Sequence, residues 1–372
     1  LGFDKSTDYM LIASGERGKG PELHLYQSRD LLEWNLVSTI LSVEDGAKVS
    51  PTSEVSFGKN FECASFFTIG QKDYMIVGVE EDDHSTRHNR HYNMWLSGKL
   101  VLENGQPRFK IASHGLLDHG VLYAAHIFRD AENRILQLGW ADETAQNCVV
   151  KEQGWAGCLT HPRELYQISK PIIDCPKVEH IWDIDEVTGI MTTLGIRPAS
   201  QLGDLKPESS LTSLKGLKTI HSANYEMEAT FKDLSGNERF VFNVRESPNS
   251  AEVTKIIFDL SKSSITVDRT RSSLETLGTS TSEAGKFQIE AGENLHVQIF
   301  VDESILEIFA NDRFALSSRI YPVLETSTGV SYDFGTADER NIQFECWEGL
   351  KFAWPRRNAV GGSSMTCLNS RI

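Results

Sequence analysis

Asp73-Tyr74-Met75-Ile76-Val77-Gly78 is the middle one of three similar lines in this chain. Asp8-Tyr9-Met10-Leu11-Ile12-Ala13-Ser14-Gly15 precedes it and Asn133-Arg134-Ile135-Leu136-Gln137-Leu138-Gly139 follows, at intervals of about 60 to 65 residues. Each is a short apolar run closed by Gly, the mark of an inner strand with another backbone close by. Such an interval suits one four-stranded propeller blade with long connections. Runs of Val, Ile, Phe and Tyr bounded by Gly, Asn and Asp recur, and helical periodicity is nearly absent. About three blades fit before residue 205, whereas propellers close with about four to eight. The expectation is an all-β chain whose residues 1–205 are the C-terminal blades of a propeller, with further blades upstream of Leu1.

Residues 206–218, beginning Lys206-Pro207-Glu208-Ser209-Ser210, read as a polar linker. Alternating strands follow, among them Tyr225-Glu226-Met227-Glu228-Ala229-Thr230-Phe231 and Arg239-Phe240-Val241-Phe242-Asn243-Val244. His296–Phe300 and Ser304–Phe309 read as a hairpin through Val301-Asp302-Glu303. Short strands at even spacing over 219–355 predict a β-sandwich, with a Gly- and Ser-rich tail at 356–372.

The 372 residues carry 37 Lys and Arg against 52 Asp and Glu, a formal charge of −15. That field repels phosphate backbones and anionic membranes, so neither nucleic acid nor membrane is expected as a partner, and a neutral sugar meets no such repulsion. No apolar run is long enough to span a bilayer. The six cysteines are far apart, without a C-x-x-C pair, a pattern of neither a zinc site nor a dense disulfide framework. No N-x-S/T sequon occurs, and the compartment stays open between secreted and intracellular.

Asn60-Phe61-Glu62-Cys63-Ala64-Ser65-Phe66-Phe67 is the most unusual local text. A carboxylate rarely lies unpaired in an apolar, aromatic strand. Such surroundings disfavour the charged form of a carboxyl group, which suits a general acid. A Glu balanced by a core Arg reads equally well from composition.

Asn60-Phe61-Glu62-Cys63 resembles the Glu-Cys motif of glycoside hydrolase family 32, the invertase, inulinase and fructosyltransferase family. Residues 154–165 resemble its G-W-A-G-x-L-T-x-P-R-E-L segment, and Gly139-Trp140-Ala141-Asp142-Glu143 its G-W-x-D-E strand end. Ser28-Arg29-Asp30-Leu31-Leu32-Glu33-Trp34 matches the S-x-D-L-x-x-W turn, and residues 266–272, 299–302 and 311–314 are equally similar. The resemblance runs from about residue 1 to about 350 and implies a five-bladed propeller followed by a β-sandwich. It implies that Glu62 is the acid/base catalyst. Asp118-His119-Gly120-Val121-Leu122-Tyr123-Ala124 resembles the D-x-G-x-x-Y-A segment, whose Asp contacts the sugar. Asp118 otherwise reads as a turn residue before Gly120, and Tyr123 either lines the pocket or packs between blades.

Two family motifs are missing from these residues: the N-D-P-type nucleophile and the Arg-Asp-Pro stabiliser. By position both belong upstream of Leu1, and without them turnover is not expected. Cys63-Ala64 also replaces the Cys-Pro found in many members.

His84, His88 and His91 lie within eight residues, but the run lacks H-E-x-x-H order and mixes in Arg. It reads as a charged rim loop, with Glu80 and His91 as sugar contacts, rather than as a metal site. Trp140 and Trp155 read as blade-packing residues, and Asp268 and Asp302 as sandwich turns. The resemblance implies retaining cleavage of β-fructofuranosides such as sucrose or fructans, with no metal or organic cofactor. A fructosyltransferase and a catalytically incomplete sugar-binding remnant are the alternatives.

Overall fold

The apolar runs become strands in the computed structural model. It describes residues 6–351 except 17, 51–54, 81–90, 146–149, 152–155, 174–178, 216–219, 276–281 and 336–338. The first sheet is β1 (Asp8–Glu16), β2 (Gly20–Ser28) and β3 (Asn35–Ser42), in that order. The second is β4 (Asn60–Ile69), β5 (Lys72–Glu80), β6 (Tyr92–Glu103) and β7 (Gln106–Leu116), also in chain order. The third holds β8 (Leu122–Arg129), β9 (Ile135–Ala141), the short β10 (Cys158–Leu159), β11 (Arg163–Pro171), β12 (Asp183–Asp185) and β13 (Ile190–Pro198). Its order is β8-β9-β11-β13-β12, with β10 also paired to β9. These up-and-down antiparallel sheets are blades, and the three do not close a ring among the described residues.

The three similar lines fall on β1, β5 and β9. The inner-strand reading fails for two of them: β5 lies between β4 and β6, and β9 between β8 and β11. Met75, Ile76, Val77 and Val79 are all buried because neighbours cover both faces of β5. The continuous apolar run therefore marks a central strand.

Ten strands follow: β14 (Asn224–Phe231), β15 (Arg239–Glu246), β16 (Val253–Asp259), β17 (Ser264–Arg271), β18 (Glu283–Lys286), β19 (Leu295–Asp302), β20 (Ile305–Ala310), β21 (Phe314–Arg319), β22 (Gly329–Asp333) and β23 (Ile342–Glu348). They form two five-stranded sheets, β21-β20-β19-β14-β23 and β18-β17-β16-β15-β22. Alternate residues of both, such as Tyr225, Met227 and Phe231 against Phe240, Phe242 and Phe258, fill the core between them. The β19–β20 hairpin turns at Glu303, whose φ of 51° fits a tight two-residue connection.

Every residue of β20 and β21 is buried. Leu306, Ile308 and Leu316 face the sandwich core, whereas Phe309 and Ala315 join a cluster with Leu122, Leu165 and Ile196 of the third blade. Across this seam His119 N donates to Ala315 O at 2.8 Å and Val121 N to Ser317 O at 2.9 Å. Gly120 between them has no room for a side chain, since a Cβ would stand 1.7 Å from Ser317 O.

Candidate active site

Two strands aim the central side chains. β4 carries one extra residue between Glu62 and Ser65 relative to Gly78–Ile76 of β5. β8 carries one extra residue between Tyr123 and His126 relative to Trp140–Leu138 of β9. Each is a β-bulge, which bends its strand and re-aims the adjacent side chain. The residue after each of Glu62 and Tyr123 is left-handed, Cys63 at φ 46° and Ala124 at φ 48°. The result is a hydrogen bond between blades: Tyr123 Oη donates to Glu62 Oε2 at 2.9 Å.

Room for this contact comes from Gly78, the Cα partner of Glu62 and the last residue of the middle apolar line. A Cβ there would meet Tyr123 Oη at 3.2 Å and Cε2 at 3.3 Å. Burial first, and then the bond to Glu62, push the Tyr123 phenol above its usual range, so it stays a proton donor. Glu62 itself is half-buried. It forms no ion pair with a guanidinium among the described residues, so no described core Arg balances it. Its Oε1 makes no hydrogen bond among the described residues.

Glu80 and His91 stand beside the pair. Glu80 Oε2 accepts from Asn60 Nδ2 at 2.9 Å, two residues before Glu62. The His91 ring packs on Tyr123 with centroids 4.1 Å apart. Asp142 joins them, with Oδ2 at 3.4 Å from His91 Nε2. The sequence reading passed over Asp142. Its signal was the G-W-x-D-E strand end, which carries the chain two residues past Trp140 on the face that Tyr123 shares. Four of the five candidate residues, Glu62, Glu80, His91 and Tyr123, thus meet in one place.

Asp118 does not. It is 1% exposed, and its Oδ2 accepts from Arg163 Nη2 at 2.8 Å and from Ser317 Oγ at 2.9 Å. Its Oδ1 accepts from Gly120 N at 2.6 Å, the turn role weighed as the alternative. A sugar contact is corrected by this burial: both oxygens are spent inside the seam. Arg163 Nη2 also donates to Glu307 Oε1 at 2.9 Å, and His161 Nδ1 pairs with the other Glu307 oxygen. Burial raises the Glu307 carboxyl, but the charges of His161 and Arg163 outweigh it and hold it at about 2.

Trp140, read as blade packing, is 38% exposed instead. Trp155, His84, His88 and the tail from 356 lie outside the described residues. Among the described residues no group of three or more His, Cys, Asp and Glu is placed to hold a metal ion.

The family models of glycosyl hydrolases family 32 match twice, the N-terminal domain over residues 3–174 and the C-terminal part over residues 195–348. Sucrose-6-phosphate hydrolase of Zymomonas mobilis is 25% identical over 318 residues, covering 82% of this chain and 56% of that protein. Beta-fructofuranosidase insoluble isoenzyme 1 of Daucus carota is 24% identical over 372 residues, covering 87% and 59%. The chain therefore spans little more than half the length of these curated relatives. Among solved structures, Aspergillus kawachii beta-fructofuranosidase has a TM-score of 0.80 at 23% identity, covering 95% of this chain and 69% of that one. The fructosyltransferase of A. japonicus has a TM-score of 0.76 at 21% identity, covering 95% and 68%. Two matched family models in the expected order, on blades followed by a sandwich, give the assignment: the chain belongs to glycoside hydrolase family 32.

Proposed function

We propose that the chain carries the acid/base half of a retaining hydrolysis of β-fructofuranosides such as sucrose or a fructan. The Glu62–Tyr123 pair is the observation that supports this reading most directly. In a retaining double displacement, one carboxylate attacks the anomeric carbon while a carboxylic acid protonates the leaving oxygen. Glu62 supplies that proton from Oε1, because Oε2 is held by the Tyr123 hydroxyl. The C–O bond to the leaving sugar breaks as the proton arrives, and the fructosyl unit stays on the nucleophile. Glu62, now a carboxylate, takes a proton from water, which attacks the same carbon and frees the nucleophile. Tyr123 keeps Oε2 in place through both halves. Glu80, His91 and Asp142 offer acceptors and a ring nitrogen to sugar hydroxyls at the rim. The nucleophile is expected in an N-D-P-type motif, which these residues do not contain.

The test is Glu62→Gln in a chain that hydrolyses sucrose. Turnover is expected to fall by about 10²–10⁴-fold, the usual weight of a general acid, with the circular dichroism spectrum unchanged. Near-normal turnover rejects the assignment. Product analysis at high sucrose decides the acceptor: free fructose means water, and fructose-extended oligomers mean transfer to sugar.

A further inference from the structure

Glu62, Gly78 and Asn93 are Cα partners across β4, β5 and β6. Residues directly opposite in antiparallel strands project from the same face, so the three form one row about 10 Å long, two strand spacings. Gly78 brings no side chain to the middle of the row, and the Tyr123 ring from the next blade lies over it. Glu62, at one end, accepts from Tyr123 Oη. Asn93, at the other, holds the backbone of the same strand: its Oδ1 accepts from Ala125 N at 3.2 Å.

Ala125 N lies inside the β8 bulge, between the left-handed Ala124 and His126, where the register with β9 resumes. A bulge interrupts its own ladder. Ala125 is 0% exposed, so water does not serve as the acceptor at its surface. Asn93 is equally buried, between buried Tyr92 and Met94, and its own carbonyl accepts from Leu117 N at 2.9 Å. The orientation of its amide is forced, because a backbone N–H only donates and only Oδ1 can accept. Asn93 Nδ2 has no hydrogen-bond partner among the described residues. A buried donor left unpaired is costly, so packing alone does not explain an amide where an apolar side chain of the same shape would fit.

We propose that Asn93 is a positioning residue for the reaction at Glu62. It fixes Ala125 N, hence the β8 bulge, hence the phenol that holds the carboxyl group. This rests on the reading of Glu62 as the acid/base group and deepens it. Without the acceptor, the buried N–H of Ala125 must find another partner, and any shift there moves Tyr123, two residues away. Small displacements at a reacting centre act on turnover more than on binding.

A double-mutant cycle in a chain that hydrolyses sucrose tests this with Asn93→Leu and Tyr123→Phe. Asn93→Leu removes the acceptor at similar size and is expected to lower kcat roughly tenfold with little change in KM. In the Tyr123→Phe background, where the bond to Glu62 is already gone, the same substitution is expected to change kcat less than about twofold. Asn93→Ser, which keeps a hydroxyl but loses the reach, is expected to give the same pattern and replaces the Leu variant if that chain does not fold. Undiminished kcat in the Asn93 variants, or an equal loss in both backgrounds, overturns the role of Asn93 and leaves the Glu62 reading standing. Near-normal turnover in Glu62→Gln overturns the two together.

Discussion

Cys63 and Ala124 share one backbone conformation, at φ 46° and 48°, and each stands one residue beyond a member of the Glu62–Tyr123 pair. The two bulges are equivalent devices in neighbouring blades. Each inserts a residue into the strand bearing Glu62 or Tyr123, and the displaced side chains meet. A left-handed conformation costs a non-glycine residue about 1–2 kcal/mol, so the surrounding sheet must hold both in place.

That strain is measurable at Ala124, which has no side-chain chemistry of its own. Ala124→Val puts a branched side chain into a left-handed site and is expected to lower the unfolding free energy by about 2 kcal/mol. Ala124→Gly relieves the conformation and is expected to raise it by up to about 1 kcal/mol. Urea unfolding reads both, and a Val variant as stable as the parent would show that the bulge is not strained.

Gly78→Ala probes the contact without touching either partner. The new methyl would lie 3.2 Å from both Tyr123 Oη and the Glu62 carbonyl, so the phenol has to shift by a few tenths of an ångström. In a chain that hydrolyses sucrose, a displacement of this kind is expected to lower turnover roughly tenfold with little change in KM, since positioning of the proposed acid acts in the transition state. Unchanged turnover would mean that Tyr123 need not hold Glu62.

The seam should fail when its cation is removed. Arg163 is fully buried between Asp118 and Glu307, so Arg163→Met leaves two carboxylates without their guanidinium. A loss of about 3–5 kcal/mol is expected in chemical unfolding. Adding Asp118→Asn and Glu307→Gln should recover much of it, because the buried negative charge goes too. No recovery would place the loss in packing rather than charge.

Stability should also depend on the His161 proton. Burial depresses the His161 imidazole, but the Glu307 charge outweighs this, aided by Asp302 and opposed by Arg163, and raises it above 6.5. The folded state therefore holds the proton more tightly than the unfolded one. The contribution is complete below about pH 6.5 and is lost as pH rises through the higher folded value. Glu307, held at about 2, works in the opposite sense: its contribution is present above about pH 4.5 and fades toward pH 2. His161→Gln should flatten the alkaline slope of unfolding free energy against pH. An unaltered slope would exclude this pair as its source.

The strand of Glu62 was legible as a candidate because its text is locally improbable: an acid among Phe61, Phe66 and Phe67 needs a reason. The hairpin at Glu303 and the turn at Ser28–Trp34 were legible for a similar cause. In that turn Asp30 Oδ1 accepts from Leu32 N and Glu33 N, both at 2.9 Å, a contact set within a few residues. The places of β5 and β9 in their sheets were not legible in this way. A run of apolar residues says that both faces are covered, not which strands cover them.

Asp118 and Tyr123 mark the same boundary from its two sides. They stand five residues apart in one motif, yet the fold sends one into the seam and the other to Glu62. Sequence alone settled the strand content, the blades and sandwich, and the candidacy of Glu62, because period, turn chemistry and an out-of-place carboxylate are local properties. Tertiary structure alone decided the partners: Tyr123 reaches Glu62 across 61 positions, and Arg163 reaches Asp118 across 45 and Glu307 across 144. Charge and hydrogen bonding act over a few ångströms of space, and only folding converts such separations into contact.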